Sequence, residues 1–410
     1  MYRIGVIGGG AAGMMAAVTA AEHGAQVTIL EHTDRLGRKI LSTGNGKCNY
    51  TNLHISKDDY FGNHPSFVTD ALSVFGPQDM ISYFKDHGIL TQEKRDGYCY
   101  PYAGQASTIR DFFIRRLEEL SVAVLLQTKV NKIRVLSDGF ALQTAEKEYF
   151  FDRLIIACGG KAAPVTGSDG SIFLLLKLLG IKLQKMYPTL APLYVSDEEC
   201  KLLAGVRANG SVTLKIDGEP LCQDEGEIQF NKETISGIPV FQLTHDAVAA
   251  LDEEKKVTIW VDFLPKMEHD ETKCYIEKQI EERTGISTGQ LLAGMVHQKV
   301  TVAILHRLKL PGSGAAGTLS SKQIKKIVSL LHHFVFTVSR QPDFANAQAT
   351  RGGVCVDQLD QNMMVKKIPG LYIAGEMMDV DGKCGGYNLQ WAWTSGRIAG
   401  MCAAAGENNA

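Results

Sequence analysis

The chain has no CxxC pair: its nine cysteines stand far apart, at positions 48, 99, 158, 200, 222, 274, 355, 384 and 402. An odd, scattered set argues against a disulfide frame and a structural zinc site, and for a reducing compartment. Charge of one sign is also missing. With 43 Lys and Arg against 45 Asp and Glu, the formal net charge is −2, so the electrostatic footprint of a nucleic-acid binder is absent. Basic runs such as KQIKK at 322–326 read as solvated helix faces. One stretch, Ile4 to Ala21, is uncharged for 18 residues and could pass for a signal peptide or membrane span, but its five glycines have a better explanation. No other stretch looks membrane-spanning, so a cytoplasmic protein without a membrane partner is expected.

Those glycines carry the main signal. The apolar run from Tyr2 to Ile7 reads as a buried strand, followed by Gly8, Gly10 and Gly13 and then by the helical pattern MMAAVTAAEHG. Gly8 suits the tight turn, Gly10 the approach of a pyrophosphate, and Gly13 the packing of helix on strand, while the helix presents free N–H groups to phosphate. A second strand, QVTIL, ends at Glu31, which suits ribose hydroxyls and disfavours a 2′-phosphate. The ligand expected is FAD or NAD rather than NADP. Gly312, Gly314 and Gly317 match the same spacing, but Pro311 opens that segment and no acid lies near 334–338. It reads as a loop, leaving one tightly held dinucleotide.

At 410 residues the chain suggests two or three domains. Residues 37–52, GRKILSTGNGKCNYTN, hold too many turn formers for an element interior and should lie along a surface or ligand. Helical patterns follow near 65–87 and 107–120. VAVLLQTKV, ending at Val130, reads as a parallel strand, and residues 147–160 as an edge strand, a buried strand and a terminating glycine pair. From about Pro188, SVTLKID, EIQFN, KVTIWVDF and HFVFTVSRQ read as antiparallel strands of a small barrel or sandwich, with helical periodicity between 265 and 333. LYIAG at 371–375 then returns to the nucleotide fold, with a helix starting near Asn388.

GGGAAG, the 37–52 loop, IIACGG followed by GSDG, PLY, ISGIP, ATRGGV and AGE…DGKCGGYNLQWAW together resemble a bacterial FAD-dependent oxidoreductase family, variously labelled aminoacetone-oxidase-type, BaiN-like or YhiN-like. The resemblance spans nearly the whole chain. It implies an α/β fold: a discontinuous glutathione-reductase-type FAD-binding Rossmann domain (1–189 and 346–410), an inserted antiparallel β-barrel (190–264 and 333–345) and a small helical domain (265–332). The chain departs from the family pattern at Phe230 to Thr234, at Ile238 between Gly237 and Pro239, and at Arg351, where a small residue is usual.

Laid along the chain, FAD would meet Gly8, Gly10, Ala11, Ala12 and Gly13 at its pyrophosphate and Glu31, with His32, at the adenosine ribose. Val130 is either the backbone partner of adenine or simply a core strand residue. Ala157, Cys158 and Gly159 would lie on the adenosine side, and Gly375 and Glu376 at the ribityl chain. The loop contributes Arg38, Lys39, Gly44, Asn45, Gly46, Lys47, Cys48 and Asn49. Gly386, Tyr387, Asn388, Leu389 and Gln390 would place a helix N-terminus at the flavin's pyrimidine end. Such a helix end contributes about 0.3 to 2 kcal/mol, enough to tune the flavin by tens of millivolts and too little to choose the reaction. Cys48 reads as a buried small residue; the lesser alternative is a redox role or a covalent flavin bond, since Lys47 beside it would lower the thiol pKa. His23, His332 and His333 read as structural.

No metal site and no Ser-His-Asp, HExxH or acid-pair arrangement stands out, so no catalytic residue is assigned and the chemistry falls to the cofactor. The substrate pocket is expected over the isoalloxazine, between FAD domain and insert. The leading expectation is tight, non-covalent FAD, transient NAD(P)H, and reduction of a carbon–carbon double bond or similar small acceptor. A flavin oxidase of a small amine using O2 is the second reading, and a non-catalytic flavin-binding protein with a regulatory or RNA-associated role the third. The small-molecule substrate's identity and the oligomeric state are not readable from the sequence.

Overall fold

The computed structural model describes residues 1–405. Among these, two compact units emerge: residues 1–187 with 348–405, and Pro188–Ala347.

The first unit is built on a five-stranded parallel sheet ordered Leu371–Ile373, Arg153–Ile156, Arg3–Ile7, Gln26–Leu30, Ala123–Leu125. The first strand lies in the middle, so Ile4, Val6 and Ile7 are buried on both faces. The following helix, Ala11–Glu22, has no polar face, because residues 12–20 are all buried. Against it packs the terminal helix, Tyr387–Ala404. Their backbones meet through glycine: a Cβ on Gly396 would stand 2.5 Å from the Ala12 carbonyl oxygen, and one on Gly400 2.4 Å from that of Ala16.

Two elements end earlier than the sequence pattern suggests. The strand expected to reach Val130 stops at Leu125. Gln127 takes a left-handed φ of 52°, and the amides of Gln127 and Thr128 donate to the carbonyls of Thr33 and Glu31, which turns the chain along the cleft edge. The helical pattern near 65–87 is two helices, Pro65–Val74 and Pro77–Asp86, since Pro77 lacks the N–H that continuation needs and Asp79 caps the second by accepting from the Gly76 amide at 2.8 Å.

The second unit holds a closed antiparallel barrel of six strands, ordered Leu193–Val195, Thr234–Ser236, Glu219–Phe230, Arg207–Ile216, Val257–Asp262 and Phe334–Arg340. Helices His269–Glu282, Thr288–Ala293, Gln298–Leu308 and Ser321–His332 fill the segment expected as a separate helical domain. They share the barrel's core: Ile304, Ile327 and Leu331 belong to one buried apolar cluster with Val212, Ile259 and Phe334. The second glycine pattern is a loop here. Gly312 and Gly314 accept, through their carbonyls, the amides of Gly289 and Thr288, and no strand leads into it. Among the described residues no helix is long and apolar enough to cross a membrane.

Candidate functional site

A cleft with about 1270 Å³ of free space, part of it open to solvent, runs along the carboxyl edge of the parallel sheet. That edge is where open α/β sheets bind ligands. Gly8 turns the first strand with φ +101°, and a Cβ there would lie 2.6 Å from the Ala157 carbonyl oxygen. Gly13 has even less room, since its Cβ would stand 1.9 Å from the Gly8 carbonyl oxygen. Gly10 is the opposite case: nothing lies within 4 Å of a Cβ built there. It caps the first helix, whose first-turn N–H groups have no intrahelical acceptor.

Glu31 sits at the end of the second strand, 7% exposed. Its Oε2 accepts from the Gly9 amide at 2.7 Å and its Oε1 from the Thr33 amide at 2.7 Å, with His32 Nδ1 at 3.3 Å. These bonds fix the carboxylate's direction and leave further lone pairs on both oxygens. Opposite, Lys39 Nζ donates to Glu376 Oε2 at 2.6 Å and to the Ala162 carbonyl at 3.3 Å. Glu376 Oε1 is buried with no hydrogen-bond partner. A buried acceptor of this kind asks for a donor from a ligand, and the hydroxyls of a ribityl or ribose chain are such donors. The vacant face of Gly10, the helix N-terminus and the orphan Glu376 oxygen together fit a dinucleotide such as FAD.

Of the residues singled out in the sequence, the cleft wall brings together Gly8, Gly10, Ala11, Ala12, Glu31, His32, Arg38, Lys39, Val130, Ala157, Cys158, Gly159, Gly375, Glu376, Asn388 and Leu389. Gly13 stays beneath, packed on Gly8. Asn388 borders the cleft with its amide engaged elsewhere: Nδ2 donates to the carbonyls of Gly382 (2.8 Å) and Lys383 (3.3 Å), and Oδ1 accepts from the Gly382 amide at 2.9 Å.

The remaining expectations are placed differently. Gln390 points away from the cleft and is completely buried. Its Oε1 accepts from Thr51 Oγ1 at 2.6 Å, and its Nε2 donates to Thr394 Oγ1 at 3.0 Å and to the Phe75 carbonyl at 3.3 Å. Helical phase is the reason, since position 390 lies over position 394 and not over the cleft-facing 388, 389 and 392. Gly386 (φ +99°) packs on Thr51, whose carbonyl oxygen would be 2.4 Å from its Cβ, and the Tyr387 carbonyl accepts from the Tyr60 hydroxyl at 2.9 Å.

Gly44, Asn45, Gly46, Lys47, Cys48 and Asn49 lie outside the cleft wall, in short 3-10 turns (Ile40–Gly46) and the residues after them. Gly44, Asn45, Gly46 and Cys48 all adopt left-handed backbone. Cys48 is the buried small residue that the sequence favours, not the activated thiol held as its alternative. It is fully buried, and burial pushes its thiol up to about 12, outweighing a hydrogen bond with Thr43. It is therefore a thiol, not a thiolate, at neutral pH. Asn49 Oδ1, by contrast, is buried without a partner.

His332 and His23 are tied structurally: His332 bridges Asp262 (3.1 Å) and Thr272 (2.9 Å), and His23 Nδ1 meets the Thr19 carbonyl at 2.8 Å. Among the described residues no group of His, Cys, Asp and Glu is placed to hold a metal ion.

Several site residues escaped the sequence reading. The segment from Thr166 to Ile172 forms one wall of the cleft, and Asp169 there faces His32 and Lys129. GSDG carried the signal, in turn formers following a buried strand. Tyr98 and Tyr100, on the strand Tyr98–Pro101, lie outside the cleft wall, Tyr98 against Gly385 and Tyr100 against Gly44.

A family described as the HI0933-like protein Rossmann domain matches residues 2–402. The 3-dehydro-bile acid delta(4,6)-reductase of Clostridium scindens is 35% identical over 407 residues, covering 98% of this chain and 99% of the relative. The ribosomal RNA dihydrouridine synthase of Haemophilus influenzae is 28% identical over 400 residues, covering 95% of each. Among solved structures, a 3-ketosteroid delta1-dehydrogenase from Sterolibacterium denitrificans has a TM-score of 0.52 at 12% identity, covering 98% of this chain and 99% of that one, a likeness of fold.

Proposed function

The chain belongs to the HI0933-like Rossmann family, and from that premise we propose its finer chemistry: an FAD-dependent oxidoreductase that draws on NADH or NADPH and saturates a carbon–carbon double bond conjugated with a carbonyl. The observation that carries the reading is the cleft itself, with the Gly8–Gly10 turn, the helix N-terminus and Glu31 at one part and the orphan Glu376 oxygen at another. The names of the two relatives point to the same chemistry, since a 3-dehydro-bile acid reductase and a dihydrouridine synthase both act on a double bond conjugated with a carbonyl.

FAD, when bound, would supply two-electron hydride chemistry. The chain supplies position and field. The first helix and the glycine turn would hold the pyrophosphate, Glu31 the adenosine ribose, and Glu376, oriented by Lys39, a ribityl hydroxyl. Asn388 and Leu389, in the first turn of the terminal helix and on the cleft wall, would hold the flavin end near that helix's positive end. The net charge of −2 favours a small organic acceptor over RNA, and the scattered free cysteines favour the cytoplasm.

Mass spectrometry tests the acceptor. Incubated with either nicotinamide, the enzyme should add 2 Da to a conjugated enone and leave ribosomal RNA transcripts unchanged. RNA that gains 2 Da replaces the small acceptor, and peroxide formed from an amine without nicotinamide replaces the reductase by an oxidase.

A further inference from the structure

The end of the cleft at Glu31 is bounded by two further chain segments. On one side lie Thr128, Lys129 and Val130, tied to the second strand because the amides of Gln127 and Thr128 donate to the carbonyls of Thr33 and Glu31. On the other lie residues 166–172, which follow the strand Arg153–Ile156 and reach across to the end of the second strand. Gly167 (φ +104°) makes that crossing close: a Cβ there would stand 3.0 Å from Thr33 Cγ2 and 3.3 Å from His32 Cε1. A base carried by a ribose at Glu31 enters the space between these segments.

The hydroxyls around that space spend their protons on the backbone. Thr33 Oγ1 donates to the Arg35 carbonyl at 2.9 Å, Thr128 Oγ1 to that of Leu126 at 2.9 Å, and Thr166 Oγ1 to that of Ala163 at 2.7 Å. Arg35 and Lys129, also on the wall, can only donate. Among the described residues the cleft wall carries three carboxylates, Glu31, Asp169 and Glu376. Two of them face sugar hydroxyls in the reading above, and Asp169 is left without a role.

Asp169 is exposed on the wall, and its Oδ1 accepts from the Ser171 amide at 2.9 Å, which fixes the carboxylate while further lone pairs remain on it. His32 and Lys129 face it. Burial works against its charge, but the hydrogen bonding of Ser171, with those two cations, holds the carboxyl below its ordinary value, so it is an ionised acceptor at neutral pH. An acceptor-only group matches a donor, and the donor on adenine is its exocyclic amine. Lys129 beside it suits the adjoining ring nitrogen. We infer that Asp169 selects adenine as the base of the dinucleotide, its carboxylate accepting from the exocyclic amine, with Gly167 laid on His32 to hold the segment in place.

The inference rests on the FAD reading and concerns the end of the cofactor that undergoes no chemistry, so its readout is binding. Flavin hypoxanthine dinucleotide differs from FAD only at the base, where a carbonyl replaces the amine and would set two acceptors against each other. The FAD-loaded full chain is dialysed to equilibrium against an equimolar mixture of the two. Bound flavins are then released by heat, separated by chromatography and quantified near 450 nm. The parent should hold FAD over the analogue by at least about tenfold. Asp169→Asn keeps an acceptor for the Ser171 amide and adds a donor for the carbonyl, so the ratio should fall about tenfold. Asp169→Ala, which removes the acceptor and adds no donor, should give a ratio between the two.

A parent that holds both dinucleotides equally, or an Asp169→Asn ratio equal to the parent's, overturns the assignment. The second result is what a role in shaping the segment alone would give, because both ligands would then weaken together. The FAD reading fails separately: a parent that retains neither dinucleotide sinks it, and the assignment with it.

Discussion

Lys39 Nζ and Glu376 Oε2 meet at 2.6 Å across 337 residues of chain, joining the loop after the second strand to the end of the strand Leu371–Ile373. The pair leaves Glu376 Oε1 as the buried acceptor without a partner. Replacing Glu376 by Gln halves the acceptor capacity and strands the Lys39 ammonium. FAD affinity should fall about tenfold, roughly 1.4 kcal/mol, measured by flavin release on dilution. Unchanged affinity would show that the orphan oxygen does not face the cofactor.

Gly10 and Gly13 should separate binding from folding. Gly10→Ala adds a methyl into empty space, so the apoprotein's melting temperature should hold while FAD binding weakens. Gly13→Ala drives a carbon onto the Gly8 carbonyl oxygen, an overpacking that costs about 1–3 kcal/mol or more. Thermal melts of both apoproteins check this, and equal destabilisation would contradict the reading of Gly10 as the ligand-facing position.

Cys48 should resist alkylation at pH 8 while exposed Cys274 reacts, as peptide mapping after iodoacetamide would show. The raised thiol has a stability consequence. Between its ordinary 9.0 and about 12 the folded state keeps a proton that the unfolded state loses, so its contribution to stability is full below pH 9 and disappears as pH climbs toward 12. Cys48→Ser should flatten that part of the stability-versus-pH curve. An identical slope in the two proteins would contradict the burial argument.

What could be read from the chain was what depends on neighbours in sequence. Gly8 to Gly13 followed by Glu31 works within one βαβ unit, and the alternation of SVTLKID and KVTIWVDF reports one buried barrel face, so both were legible. Gln390 was not, because a run of glycine and polar letters says nothing about helical phase, and Thr51, which donates to its side chain, and Phe75, whose carbonyl accepts from it, lie over 300 residues away. The lesser reading of Cys48 as an activated thiol fails for a related reason: adjacency to Lys47 is visible in sequence, and the completeness of burial is not.

The central claim is one tightly held FAD that a nicotinamide reduces. Anaerobic addition of NADH and of NADPH to the purified protein, followed near 450 nm, tests it most directly. The account expects the oxidised flavin band to bleach within seconds with at least one of them and to return on adding a conjugated enone under nitrogen; a protein that carries no FAD, or a band that both nicotinamides leave intact, would contradict it.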